Sequence, residues 1–170
     1  MKNTVYHCRY PFHIILLSSL QSAGIYFIAL FIVFNLYIWL SIPMLLYILF
    51  LEFRLLRNSC TKCYYYGKNC AFGKGKISSL FFKKKDALIF GEACITWKSM
   101  IPELLVTAIP LLVGIYLLIT DFSWLVLVLL LMLLLLSSIG NSFIRGKLAC
   151  NHCQQRELGC AAWELFNTGN

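Results

Sequence analysis

Residues 104–144 read LLVTAIPLLVGIYLLITDFSWLVLVLLLMLLLLSSIGNSFI, and across them the only charged side chain is Asp121. A membrane-spanning helix needs about 20 apolar residues, so this run holds two spans with a turn at Asp121-Phe122-Ser123. Upstream, no Asp, Glu, Lys or Arg occurs from Pro11 to Leu51, and His13 is the only ionisable side chain near that entrance apart from tyrosines. Four helices are therefore expected, at about residues 12–33, 36–56, 102–120 and 124–143. Of the 170 residues 60% are hydrophobic and 13% charged, which excludes an ordinary soluble domain and implies a bilayer partner.

The chain then repeats itself. Cys60, Cys63 and Cys70 are spaced C-x2-C-x6-C, and so are Cys150, Cys153 and Cys160, offset by 90 residues. Without a gap, the same offset lays Gly24-Ile25-Tyr26 on Gly114-Ile115-Tyr116, Phe53 on Phe143 and Ala71 on Ala161. An offset that links an apolar segment to a cysteine motif in both halves points to an internal duplication. The expected fold is an all-α integral membrane protein of two tandem helical hairpins, each followed by its cysteine motif. Residues 1–93 form the first repeat, with motif 60–70 and a basic loop, and residues 94–170 the second, with motif 150–160. Two spans per repeat bring both copies in from one side, so a pseudo-two-fold axis along the membrane normal is expected and the two motifs become neighbours. Gly24 and Gly114 would allow close helix approach.

Charge sets the orientation. The fifteen Lys and Arg residues fall before the first apolar run, between Arg54 and Lys98, and at Arg145, Lys147 and Arg156. The tips near Asn35 and Asp121 have none. By the positive-inside rule both termini, the central loop and every cysteine are cytoplasmic in a multi-pass protein. A cleaved signal peptide at the N-terminus fits poorly, because apolar sequence continues well past Ser22-Ala23-Gly24 and a signal core is only about 7–15 residues. The net charge of +8 is largely topological, so no nucleic-acid partner is expected. Ile77 to Phe82 followed by Lys83, Lys84 and Lys85 reads as an interfacial segment meeting anionic lipid or, equally, as a solvated topogenic run. A protein partner or a second copy is also expected.

In a reducing compartment disulfides are disfavoured. A duplicated three-cysteine spacing then points to metal, since C-x2-C sets two sulfurs on one side of a turn and x6 returns a third. Cys8 and Cys94 each precede the first span of a unit and are candidate fourth ligands, completing the four thiolates of a zinc site or an iron–sulfur cluster. Pairing within units competes with pairing of Cys94 to the first motif, and a buried or lipid-adjacent free cysteine is the other reading of Cys8 and Cys94, though not of the triplets. Zinc and iron–sulfur both suit thiolates. Two clusters side by side at a membrane surface would serve electron transfer, which favours iron–sulfur. His152 is expected beside the ligands or facing solvent.

The expected function is an electron-transfer subunit or anchor. The alternative is a non-enzymatic scaffold or assembly protein with structural zinc, and the third reading is a membrane thiol–disulfide oxidoreductase, although no thioredoxin-like βαβ pattern surrounds the motifs. A lipid-active enzyme finds no catalytic constellation, and Gly73-Lys74-Gly75-Lys76 lacks the spacing of a phosphate loop. Carriers keep ionisable groups mid-membrane, whereas Glu52 and Glu103 are expected at water-reachable helix ends. Tyr64, Tyr65 and Tyr66, with Trp97 and Trp163, read as an aromatic belt at the headgroups. Pro43 suits a tolerated kink, and Pro102 the start of the third helix.

Overall fold

The computed structural model describes residues 9–86 and 97–157. Four long helices carry the chain: α1 (Phe12–Leu36), α2 (Ile38–Asn58), α4 (Trp97–Thr120) and α5 (Trp124–Leu135), with the short α3 (Lys74–Phe81) between α2 and α4. No strand occurs among the described residues. Helical turns continue beyond α5 as π segments at Leu136–Gly140 and Ser142–Ala149. Four stretches are long and apolar enough to cross a membrane: Phe12–Leu36, Ile38–Lys62, Ile101–Thr120 and Trp124–His152. By length and composition this is a multi-pass membrane protein.

The expected helices are all present, but two boundaries differ. α4 begins at Trp97, so Pro102 lies inside the helix instead of opening it. Proline removes one backbone hydrogen bond there, close enough to the helix start for one preceding turn to survive. The fourth helix leaves α geometry at Leu136, well before Phe143. Ser137 and Ser138 explain why. Both hydroxyls donate to the Leu134 carbonyl, at 3.3 and 2.5 Å, competing with the backbone ladder.

The chain divides into two units. One comprises residues 21–52 and 96–140. Its cores form on α1. Ala29 and Val33 pack with Met44, Ile48 and Leu51 of α2 and Val106 of α4. Ile28 and Ile32 pack with Val126, Leu130 and Leu133 of α5. Its outward face is apolar, with Trp39 78% and Ile119 79% exposed, as lipid contact requires. Lipid supplies no hydrophobic drive between helices, so close packing and polar pins hold them. The pins are Tyr26 Oη donating to Glu52 Oε1 (2.6 Å), Tyr47 Oη to the Pro102 carbonyl (2.8 Å) and Gln21 Nε2 to the Leu136 carbonyl (2.9 Å). The last satisfies a carbonyl at the start of the wider π turn. Glu52 therefore engages a mid-helix tyrosine of α1 rather than serving only as a hydrated helix end.

The two glycines of the offset behave differently. A Cβ on Gly114 would stand 2.6 Å from Leu130 Cδ2, whereas one on Gly24 would meet Leu136 Cδ1 at 3.8 Å, ordinary contact. Close approach is real at Gly114 only.

The second unit comprises residues 1–20, 53–95 and 141–170, and it contains the five described cysteines of the two motifs, Cys60, Cys63, Cys70, Cys150 and Cys153.

Candidate functional site

Each C-x2-C pair folds as a single 3-10 turn. Cys60–Lys62 is closed by the Cys63 N–H donating to the Cys60 carbonyl (3.4 Å), and Cys150–His152 by the Cys153 N–H donating to the Cys150 carbonyl (3.3 Å). Both second cysteines then turn extended, Cys63 at φ −82°, ψ 146° and Cys153 at φ −87°, ψ 122°. Thr61 inside the first turn is buried and donates to the Arg57 carbonyl (2.8 Å), which ties that turn to the last turn of α2.

The motifs are cross-linked just after these turns. The Tyr64 N–H donates to Gln155 Oε1 (2.7 Å), and the Gln154 N–H donates to Tyr65 Oη (3.1 Å). Tyr65 and Gln155 are each 1% exposed. Each motif thus satisfies a backbone donor of the other with a buried side chain, the arrangement buried polar groups require. Tyr65 is not part of a headgroup belt. Its ring packs against Tyr10 (centroids 5.4 Å) and Tyr64 (5.2 Å), and Tyr10 Oη donates to the Ala149 carbonyl (2.5 Å).

The thiols lie against this aromatic centre. Cys63, Cys70 and Cys153 pack on a core of Tyr10, Ile14, Tyr65, Ala71 and Ala149. All five described cysteines, Cys60, Cys63, Cys70, Cys150 and Cys153, are half-buried, and no disulfide joins them. The Gly75 N–H donates to Cys70 Sγ (3.3 Å), and the Tyr65 N–H to the Cys63 sulfur. Amide donors of this kind favour a charged sulfur. Burial acts oppositely and wins at Cys63: desolvation, with smaller contributions from Cys153, Cys70 and Cys60, pushes the thiol up to about 12. Burial likewise pushes Tyr65 up to about 12 against the Gln154 N–H it accepts. Burial, then the proximity of Cys153 and Tyr65, raises Tyr10 well above the usual phenol range.

Glycine shapes the loop between Cys70 and α3. Gly73, at φ 69°, turns the chain into α3. Gly75 lies under the Tyr65 and Lys68 carbonyl oxygens so closely that a Cβ would collide with both. Its own carbonyl accepts from the Gly67 N–H (3.0 Å). The Ser18 hydroxyl of α1 donates to the Ala71 carbonyl beside Cys70.

The two C-x2-C turns are neighbours within one unit. Among the described residues no closed donor set of three Cys, His, Asp or Glu side chains comes together to hold a metal. Cys8, Cys94 and Cys160, which the sequence assigns to those sets, lie outside the described residues. Cys63, Cys70 and Cys153 pack on a common apolar core with amides aimed at two of the sulfurs, and thiolate sulfur is the donor type that soft metals take. His152 sits half-buried on the 3-10 turn between Cys150 and Cys153. The roles of Tyr10, Tyr65, Gly75 and Gln155 were not read from the sequence, which assigned Tyr65 to an aromatic belt; the 90-residue offset, which lays Tyr65 on Gln155, is the signal that could have found that pair.

Compared with known protein families, characterised proteins and solved structures, the chain matches none.

Proposed function

We propose that this chain is a duplicated, two-hairpin membrane protein that holds thiolate-ligated metal at the cytoplasmic face and passes electrons between a soluble donor and a membrane carrier. The observation that carries the reading is the reciprocal bonding of Tyr64 to Gln155 and of Gln154 to Tyr65, which binds the two C-x2-C turns into one buried assembly. Cys60, Cys63 and Cys70 with Cys150, Cys153 and Cys160 would supply the ligands, and Cys8 and Cys94 the fourth positions. Iron–sulfur is favoured over zinc, and when bound it would supply one-electron chemistry. The protein's own part is to keep the sulfurs dry and fixed. Tyr10 and Tyr65 exclude water from them, and the Gly75 and Tyr65 amides orient two of them. The same orientation places Lys83, Lys84 and Lys85 toward anionic headgroups.

Anaerobic purification followed by visible absorbance, electron paramagnetic resonance and iron, sulfide and zinc analysis tests this. Coloured protein with stoichiometric iron and sulfide is expected. Colourless protein with stoichiometric zinc overturns the redox role, and protein without metal overturns the centre altogether.

One observation favours a second reading, a scaffold whose zinc is purely structural. Among the described residues of the cysteine-bearing unit the buried apolar side chains are few: Tyr10, Ile14, Tyr65, Ala71, Ile144 and Ala149. Metal can replace missing core in so small a unit. Retained partner binding by a zinc-loaded, redox-inert protein would support this reading.

A further inference from the structure

α3 is built inside out. Gly75 and Ser78 are its buried residues, Ser78 at 0% exposure with its hydroxyl donating to the Leu56 carbonyl of α2 (3.1 Å). Ile77, Leu80 and Phe81, spaced to share one helical face, are 46%, 76% and 73% exposed. A small soluble helix would turn that face inward. Here backbone contact takes the inner side: Gly75 fits under the Tyr65 and Lys68 carbonyls where no side chain could. The inversion is therefore fixed by the fold of the first cysteine motif.

The surroundings of the face name its occupant. At 3.6 residues per turn, Lys74 and Lys76 flank the apolar stripe on either side, and Lys83, Lys84 and Lys85 follow it, all three exposed. Asp86 is the single acid in residues 74–86. Phe82, at the end of α3, packs edge-on against Phe53 (5.3 Å), which belongs to the membrane-spanning stretch Ile38–Lys62 and is itself 51% exposed. Phe53 and Phe82 thus place further apolar surface beside the end of α3. The Tyr66 hydroxyl donates to the Phe82 carbonyl and the Lys85 N–H to the Thr61 carbonyl (2.9 Å), anchoring the backbone at both ends of the basic run.

We propose that α3 docks on an anionic lipid surface, lying in the membrane plane with Ile77, Leu80 and Phe81 among the acyl chains and Lys83, Lys84 and Lys85 at the headgroups. Apolar area inserts the helix, and each lysine adds attraction to negative headgroups. The proposal rests on the lipid orientation given above and is independent of what the cysteines hold.

The test uses the full chain in nanodiscs of phosphatidylcholine, with and without phosphatidylglycerol. Phe81→Trp, and separately Leu80→Trp, adds one indole whose emission is read as the difference from the parent protein. Blue-shifted emission, quenched by lipids brominated near the headgroup and more strongly with phosphatidylglycerol, is expected. Replacing Lys83, Lys84 and Lys85 by Gln should lower the inserted-to-free ratio about fivefold per lysine. Water-like, unquenched emission from both variants overturns the proposal. So does a blue-shifted indole that brominated lipid never reaches, which would mean that protein covers the face. Equal quenching in both lipids removes the anionic requirement and overturns it as stated. Because both leaflets of a nanodisc are alike and no metal is read, none of these outcomes depends on sidedness or metal content.

Discussion

Tyr65 and Gln155 stand 90 residues apart, and each accepts the backbone hydrogen bond offered by the residue before the other. Both are buried, so neither bond has water as a substitute. Tyr65→Phe leaves the Gln154 N–H without its acceptor, and Gln155→Leu does the same to the Tyr64 N–H. Each change is expected to cost about 1–3 kcal/mol, seen as a lower Tm in detergent and faster proteolysis of the basic loop. The double variant should cost less than the sum, because the two bonds belong to one assembly.

Glycine substitutions should separate packing from tolerance. Gly75→Ala drives a methyl into the Tyr65 and Lys68 carbonyl oxygens, and Gly114→Ala drives one into Leu130. Both are expected to lose about 1–3 kcal/mol. Gly24→Ala meets nothing nearer than 3.8 Å and should change stability by no more than about 0.5 kcal/mol. Thermal unfolding of the three variants side by side decides the ranking, and equal losses at Gly24 and Gly114 would contradict it.

Gln21→Leu removes the donor to the Leu136 carbonyl at the start of the π turn. In lipid such a bond contributes about 0.6–2 kcal/mol, and a loss in that range is expected on unfolding in mixed micelles. Gly140→Ala should act through the same contact, since its methyl would press on Gln21 Nε2 at 3.0 Å. Combined with Gln21→Leu, its effect should shrink.

If the sulfurs hold metal, Cys63→Ser and Cys153→Ser should each lower the metal-to-protein ratio by half or more. A chelator should then make the loop around Cys70 more accessible to protease without dissociating the spanning helices. Asp121→Asn, in the turn between α4 and α5, should leave both readouts unchanged. Metal content that survives both serine substitutions would remove these sulfurs from the ligand set.

The spans were legible because charge is so costly in lipid that its absence from Pro11 to Leu51, and its restriction to Asp121 between Leu104 and Ile144, leave few other readings. Their ends were less so. Pro102 looks like a first-turn proline, yet α4 runs five residues before it, and nothing in the leucine-rich run announces that Ser137 and Ser138 will widen the helix. The cysteine turns followed from their spacing. Their connection did not, because a tyrosine beside a span usually signals a headgroup and a glutamine in a polar tail signals nothing. Positions that the 90-residue offset superposes differ in type, as Tyr65 and Gln155 do, or in surroundings: Tyr26 bonds Glu52 whereas Tyr116 is 55% exposed.

A single residue, Tyr37, separates α1 from α2, and three residues, Asp121 to Ser123, separate α4 from α5. Such tight corners leave almost no polypeptide for a visitor to grasp at either turn. A docking protein or modifying enzyme finds a longer handle in residues 59–73, between α2 and α3.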